Sequence, residues 1–409
     1  MVNIIALILV GLMGLASSVN AAGFRLSEQD AKANGMGNSF VAVADNASAV
    51  WYNPAAMTDL EKTNVSLGSV MVYPTMKHDK TTGGSDSIEK TLHVPPYLYA
   101  THQLNEKWAL GFGFNAPFGL STEWDKNTAA TKYIATLSDI KAFNYNLNGA
   151  YKVNDKLSFA VGVDYVNLDA TLNKMVSPTK PGWELELEGD GDGWGYNAAA
   201  MYKLNEKWNF GASYRSQIKI DVDGTAKVTA AGISNDASTK LTLPDTFQIG
   251  AAYKFNEKWL ASVTADYTDW ATYHVLAIKS NTIKALTGTD TSYDIKDWKS
   301  VWAFRAGTEY KYSDAWKFRG GVFYDYNPVR EKHFETRVPD SDRLAFSVGA
   351  GWNKGNLVVD VSYTYLMFSE RTVSGSYAGY TASNALTTAL DGKYKSTAHL
   401  PALSVGYKF

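Results

Sequence analysis

Six histidines are the natural candidates for acid–base work or metal binding: His78, His93, His102, His274, His333 and His399. None stands beside a G-x-S-x-G or H-E-x-x-H pattern, so neither an activated serine nor a zinc-binding pair is spelled out. Cysteine is absent, which excludes thiolate metal sites, cysteine nucleophiles and disulfide staples. The reading is no catalytic residue, no metal site and no cofactor. Other residues can do physical work. Pro117 donates no hydrogen bond to a sheet neighbour, and Gly119 permits an unusual backbone path, so the two together can break a ladder. On the residues alone they read more simply as the start of a loop. Arg215, Arg305, Lys317 and Arg319 have Asp164, Asp266, Glu309 and Asp325 on nearby segments. They predict a buried mixed-charge network, with Arg305 and Glu309 as one pair.

The elements that must carry these residues are strands. After Trp259, the residues Ala261, Val263, Ala265 and Tyr267 alternate with Ser262, Thr264, Asp266 and Thr268. After Leu357, Val359, Val361, Tyr363 and Tyr365 alternate with Asp360, Ser362 and Thr364. A period of two with one apolar face is a β-strand. The apolar faces begin and end in Trp or Tyr, and aromatics make up 13% of the chain, as interfacial belts around a membrane barrel require. The chain ends on an alternating Leu403, Val405, Tyr407 and Phe409, which resembles the assembly signature of outer-membrane barrels. Lys+Arg 39 against Asp+Glu 41 gives no electrostatic reason to expect nucleic acid.

Residues 1–21 read as a cleaved secretory signal, with an apolar run from Ile4 to Leu15 and small residues up to Ala21. No later apolar run is long enough for a helical span. A short turn then recurs: Leu104-Asn105-Glu106-Lys107-Trp108, Leu204-Asn205-Glu206-Lys207-Trp208 and Phe255-Asn256-Glu257-Lys258-Trp259, with looser copies at Val153, Tyr312 and Asn353. Six such turns join six strand pairs. A first strand near 63–77 and a last near 395–409 bring the expected count to fourteen. Longer outer connections are expected at 78–93, 119–139, 173–190, 228–240, 279–297, 328–342 and 374–393. The expected architecture is all-β: a 14-stranded antiparallel transmembrane β-barrel over residues 63–409, preceded by a segment, 22–62, that does not alternate. A tail of that length hangs free or folds into the lumen as a plug.

Several stretches, taken in order, resemble the outer-membrane long-chain fatty acid and hydrophobic-compound transporters of the FadL/TodX type. They include Ala22-Gly23-Phe24-Arg25-Leu26-Ser27-Glu28-Gln29, Asn53-Pro54-Ala55, Ala116-Pro117-Phe118-Gly119-Leu120-Ser121-Thr122-Glu123-Trp124, Leu243-Pro244-Asp245 and Pro339-Asp340-Ser341-Asp342-Arg343. The resemblance runs from about Ala22 to Phe409. It implies fourteen strands, a hatch in the lumen, and an inward kink in the third strand that opens the wall to lipid. On it, Ala116, Pro117, Phe118 and Gly119 form the lateral opening, and Phe24 lines the substrate pocket or packs the plug. Asn53, Pro54 and Ala55 form a constriction or, more simply, a turn that locks the plug. A carboxylate-bearing substrate needs a cation or donors in a desolvated pocket. The resemblance places Lys174 in that role, with Lys296 as a second candidate.

The implied function is passive uptake of hydrophobic small molecules, long-chain fatty acids first, across a bacterial outer membrane. The short third and fourth outer loops leave only Met175, Val176 and Trp183 for a docking groove, which keeps monoaromatic hydrocarbons open as substrates. Expected partners are the substrate, membrane lipid and lipopolysaccharide, with the barrel acting as a monomer. A plain polar porin and a surface adhesin are the rival readings.

Overall fold

The computed structural model describes residues 23–375 and 388–409. The expected leader, residues 1–21, lies outside the described residues, as does part of the last outer connection. Among the described residues, fourteen antiparallel strands form one continuous wall. They are β1 (Thr63–Val70, continued by Tyr73–Lys80), β2 (Ser85–Ser87 and Pro96–Gln103), β3 (Trp108–Glu123), β4 (Leu137–Asn154), β5 (Leu157–Met175), β6 (Glu184–Lys203) and β7 (Trp208–Arg215 and Ile218–Val228). The second half comprises β8 (Ile233–Leu243 and Thr246–Lys254), β9 (Trp259–Thr268 and Val275–Ser280), β10 (Thr291–Ile295 and Val301–Lys311), β11 (Trp316–Asp325), β12 (Arg343–Lys354), β13 (Leu357–Phe368 and Arg371–Val373) and β14 (Gly392–Lys408). The last strand pairs with β13 on one side and with β1 on the other, Asn64 opposite Lys408, which closes the barrel. Closure removes the sheet edges that could not be tolerated in hydrocarbon. The strand count is the one expected from the turns.

The repeated turn has a local cause. In four of the six copies the Asn side chain accepts backbone N–H groups two and three residues on: Asn105 from Lys107 and Trp108 at 2.9 and 3.0 Å, with the same distances at Asn154, Asn205 and Asn256; in the Tyr312 copy the Ser313 hydroxyl accepts from Trp316 N–H at 3.1 Å. Such an Asx turn reverses the chain without help from tertiary contacts. The Trp that follows stacks across to the next strand. Trp108 lies 4.6 Å from Tyr151, Trp208 4.5 Å from Tyr253 and Trp259 4.5 Å from Tyr310, which builds one aromatic belt. Tyr165 with Trp194 and Tyr267 with Trp302 stand in the opposite belt. Between the belts Val161, Val163, Val263, Val348 and Val361 are exposed, while their neighbours Ala160, Asp164, Thr264, Ser347 and Asp360 are buried. An apolar outer face over a polar inner one fits a hydrocarbon solvent. No helix among the described residues is long and apolar enough to cross a membrane.

Two outer connections differ from expectation. Residues 228–240 are not a loop: Ile218–Val228 and Ile233–Leu243 pair in register out to Val228 opposite Ile233, leaving only a turn closed by Gly232. Ile218, Ile220 and Val222 point inward there, while Lys219, Asp221 and Asp223 face out into water. On the returning strand Ser234, Asp236, Ser238 and Lys240 face out in the same way, and that polar outer face disguised residues 228–240 as a loop. The connection after β9 contains a helix, α1 (Asn281–Thr287), capped by the Ser280 hydroxyl accepting from Thr282 N–H and ended by a left-handed Gly288.

Residues 23–62 pack against inward-facing residues on opposite arcs of the wall. The short helix α2 (Ala31–Gly35) lies against β12 and β13, and α3 (Ala49–Tyr52) leads into a 3-10 turn, Pro54–Asp59, against β4, β5 and β6. Asn34 bonds to Ser362 at 3.1 Å and Thr364 at 2.9 Å, and Ser39 contacts Thr264 at 3.2 Å. Close approach demands small residues. Gly37 has φ +61, and a Cβ there would come within 2.9 Å of the backbone of Val322.

Candidate functional site

Strand β3 leaves its neighbour at Pro117. The β2–β3 ladder runs from Gln103 opposite Ala109 to Leu98 opposite Phe114 and then stops. The next backbone bond between the two stretches is Glu89 N–H to Glu123 C=O, 2.9 Å. On the other side β3 stays paired with β4, but the register slips between Asn115 opposite Asn144 and Phe118 opposite Ala142. Three steps on one strand match two on the other, so Ala116 and Pro117 form a β-bulge that bends the strand. The facing strand opens with Pro96, and Pro95 precedes it. Prolines therefore stand on both sides of the break, where neither can donate to a ladder.

The free edge of β3 is taken over by the N-terminal segment. Leu26 N–H donates to Pro117 C=O at 2.7 Å, Gly119 N–H donates to Phe24 C=O at 2.8 Å, and Arg25 pairs with Phe118 as an isolated bridge. The Gln29 side chain donates to Ala116 C=O at 3.0 Å and accepts from Asn115 at 3.1 Å. These bonds answer the requirement that a backbone exposed at membrane depth be satisfied internally. Ala116, Pro117, Phe118 and Gly119 are thus brought together with Phe24.

Phe24 is fully buried in an aromatic box. Its ring lies 4.6 Å from Trp270, 5.7 Å from Tyr273, 5.9 Å from Trp298 and 6.1 Å from Phe118. Ile134, Ile220, Val222, Leu241, Leu276 and Phe334 extend the box into an apolar chamber in the outer half of the barrel that these side chains themselves fill. A small void of about 30 Å³ remains between Pro117, Phe118, Trp51, Val166 and Ile218. Trp270, Tyr273 and Trp298 were missed in the sequence because their types match those of the interfacial belts. Their only signal was position, in the breaks within β9 and β10 rather than at the ends of regular alternation.

The Asn53 side chain is bonded at both ends. Its Oδ1 accepts from Ala55 N–H at 3.1 Å, and its Nδ2 donates to Val41 C=O at 2.8 Å and to Ala200 C=O on β6 at 3.0 Å. Pro54 and Ala55 open the 3-10 turn behind it and are buried.

Lys296 sits in the outer part of the barrel, 2% exposed, between two carboxylates: Asp294 at 2.7 Å and Glu335 in close contact. Burial alone would lower its pKa; the two carboxylates outweigh that and hold the ammonium well above its usual range. Lys174, on β5 opposite Leu185, acts electrostatically on the same Asp294. The two candidate lysines therefore converge on one acidic residue. Of the residues expected to form a docking groove, Val176 and Trp183 pack with Leu185, Ala226, Val228 and Leu286, and Lys180 lies 4.2 Å over the Trp183 ring.

The charge network joins wall to N-terminal segment. Arg215 pairs with Asp164 at 2.6 Å and donates to Trp51 C=O at 2.9 Å. Asp266 takes Arg25 at 2.9 Å and Arg305 at 3.2 Å. Glu309 takes Lys32 at 3.3 Å, Lys317 at 3.1 Å and Arg319 at 2.8 Å, and Arg319 also holds Asp360 at 2.6 Å. The expected Arg305–Glu309 pair is corrected. Residues four apart on one strand share a face but stand about 13 Å apart, so each finds a partner on another element. No cluster of three or more metal-ligating side chains occurs among the described residues.

A closed fourteen-strand barrel with an oil-compatible skin and an apolar chamber within it defines an integral outer-membrane protein of the transport class. The chain belongs to the outer membrane protein transport protein family (OMPP1/FadL/TodX), which matches residues 12–409. It is 27% identical over 396 residues to a long-chain fatty acid transport protein of Escherichia coli O6:H1, covering 85% of this chain and 87% of that one. Its fold is similar to a Pseudomonas aeruginosa FadL homologue, with TM-score 0.83, 20% identity and coverage of 95% and 100%. It is also similar to the Ralstonia pickettii toluene transporter TbuX, with TM-score 0.71, 18% identity and coverage of 95% and 99%.

Proposed function

We propose that the chain takes up long-chain fatty acids by passive diffusion, from an apolar chamber sideways into the membrane, with no chemical step. One observation carries the reading: β3 abandons β2 beyond Phe114 and pairs with the segment that carries Phe24 into the chamber. Apolar surface resists hydration by roughly 25 cal/mol per Å², so a water-filled exit would oppose transfer of a greasy chain while a lateral one avoids water. The N-terminal segment is the plug, Asn53 to Ala55 lock it, and Ala116 to Gly119 form the opening. Phe24 occupies the place of an apolar substrate. Lys296, supported by Lys174, receives the carboxylate. The barrel works as a monomer among lipid and lipopolysaccharide, after export on a cleaved leader.

A second reading, uptake of monoaromatic hydrocarbons by the same route, is favoured by the aromatic lining around Phe24 and the small docking cluster at Trp183. Uptake of labelled oleate and of toluene into cells carrying Pro117→Ala with Gly119→Val tests the route. Slowed uptake by a folded double variant supports it, and unchanged uptake rejects it. A single-channel recording without steady ionic current separates the plugged barrel from a polar porin.

A further inference from the structure

The connection between β11 and β12 does not run over the surface as loops normally do. Residues 334–340 are all buried. Phe334 and Val338 sit in the apolar chamber with Phe24, Phe118, Tyr273 and Trp298. Phe334 packs edge-on to Tyr394 at 4.7 Å, with the Arg371 guanidinium 4.8 Å over its ring. Glu335, between them, reaches Lys296. The backbone on the far side is tied to β3 past the kink. Thr122 donates to Arg337 C=O at 2.9 Å and the Trp124 indole to Thr336 C=O at 3.0 Å. Arg337 itself donates to Ile134 C=O at 2.8 Å. Asp340 then accepts Gly23 N–H at 2.9 Å, next to Phe24.

We propose that residues 334–338 are a built-in substitute ligand: Glu335 places a carboxylate on Lys296 and Phe334 and Val338 fill the chamber, so an entering fatty acid exchanges with this segment and releases it. The inference rests on the proposed transport reading and adds its control. The same strap touches the outer end of β3 and the start of the N-terminal segment, so its release loosens both sides of the opening. A neutral hydrocarbon competes with Phe334 and Val338 but has nothing to offer Lys296.

The electrostatics single out Glu335 as the replaceable partner. The charged groups around it are Lys296, Asp294 and Arg337, with Tyr273 beside Lys296. Burial acts to raise Asp294, but Lys296 and Arg337 outweigh it and hold its carboxyl below the usual range. Burial and the neighbouring Asp294 push Glu335 up against the same two cations. The cluster holds Asp294 ionised more firmly than Glu335.

The test compares wild type, Glu335→Gln and Glu335→Gln with Lys296→Met, as full-length protein in detergent, for binding of oleate and of toluene by equilibrium dialysis. A charged hydrogen bond is regained by the ligand when its internal rival is neutralised, so Glu335→Gln is expected to bind oleate about tenfold tighter. Toluene affinity stays unchanged, and the added Lys296→Met abolishes the gain. Because the chain has no cysteine, Lys332→Cys on the exposed shoulder of the strap takes a single spin label. Oleate is expected to mobilise that label in wild type, and toluene to leave it alone. If wild type binds oleate but Glu335→Gln binds it no better and the label stays still, the substitute-ligand proposal is overturned while transport stands. If wild type binds neither compound, both fall.

Discussion

Phe24→Ala is the most informative single substitution. The ring is buried against Trp270, Tyr273, Trp298 and Phe118, and truncating a buried Phe costs about 3–5 kcal/mol. The loss falls on a segment otherwise held by hydrogen bonds and an ion pair, among them two backbone bonds to β3, the Gln29 bonds, Gly23 N–H on Asp340, and Arg25 on Asp266 and Thr268. If the segment opens locally, its open state becomes roughly a hundredfold to several thousandfold more populated. Hydrogen exchange reads this directly. The amides of Leu26 and Gly119, which carry the two backbone bonds, should exchange faster by about that factor. Amides of the intact β2–β3 ladder, such as those of Leu98 and Phe112, should not change. If Leu26 and Gly119 keep their protection in Phe24→Ala, the aromatic box is not what holds the segment on the kinked strand, and the reasoning fails.

Asp360→Ala leaves the buried Arg319 with Glu309 alone; breaking such a buried pair costs about 3–5 kcal/mol, read as a lower urea midpoint for the folded barrel. Asn53→Ala removes a cap and two bonds to carbonyls and is expected to lower stability by about 1–3 kcal/mol, with the exchange of the Ala55 amide as a local check. Val263→Lys puts a charge on the lipid-facing skin and costs about 2–4 kcal/mol in bilayers if that residue lies at mid-depth, against little in a soluble β-protein.

Periodicity carried the architecture. Each strand needs one face for lipid and one for the lumen, and that requirement writes itself into alternate residues wherever the strand is inside the membrane. The Asn of each short turn is equally local, since its side chain bonds two and three residues ahead. Outside the membrane both signals fade. The start of β8 carries Ser234, Asp236, Ser238 and Lys240 on its outer face, so residues 228–240, beyond the hydrocarbon, read as a loop. The helix at Asn281 has its markers, Ser280 and Gly288, but seven residues between a serine and a glycine also suit a loop. Pro117 marks one side of the break in the sequence, whereas Pro95 and Pro96 gain their meaning only from standing opposite it in the fold. The aromatic box and the Lys296 cluster join residues from connections far apart in the chain, and no local pattern links Phe24 to Trp298 or Glu335 to Lys296.

A structure of the detergent-purified protein with a heavy-atom-labelled fatty acid addresses the transport route most directly. The account predicts ligand density touching Phe118, Trp270 and Trp298, displaced Phe24, and a carboxylate at Lys296. Ligand confined to the polar lumen or to the outer skin, with the chamber still filled by Phe24 and Phe334, would contradict it.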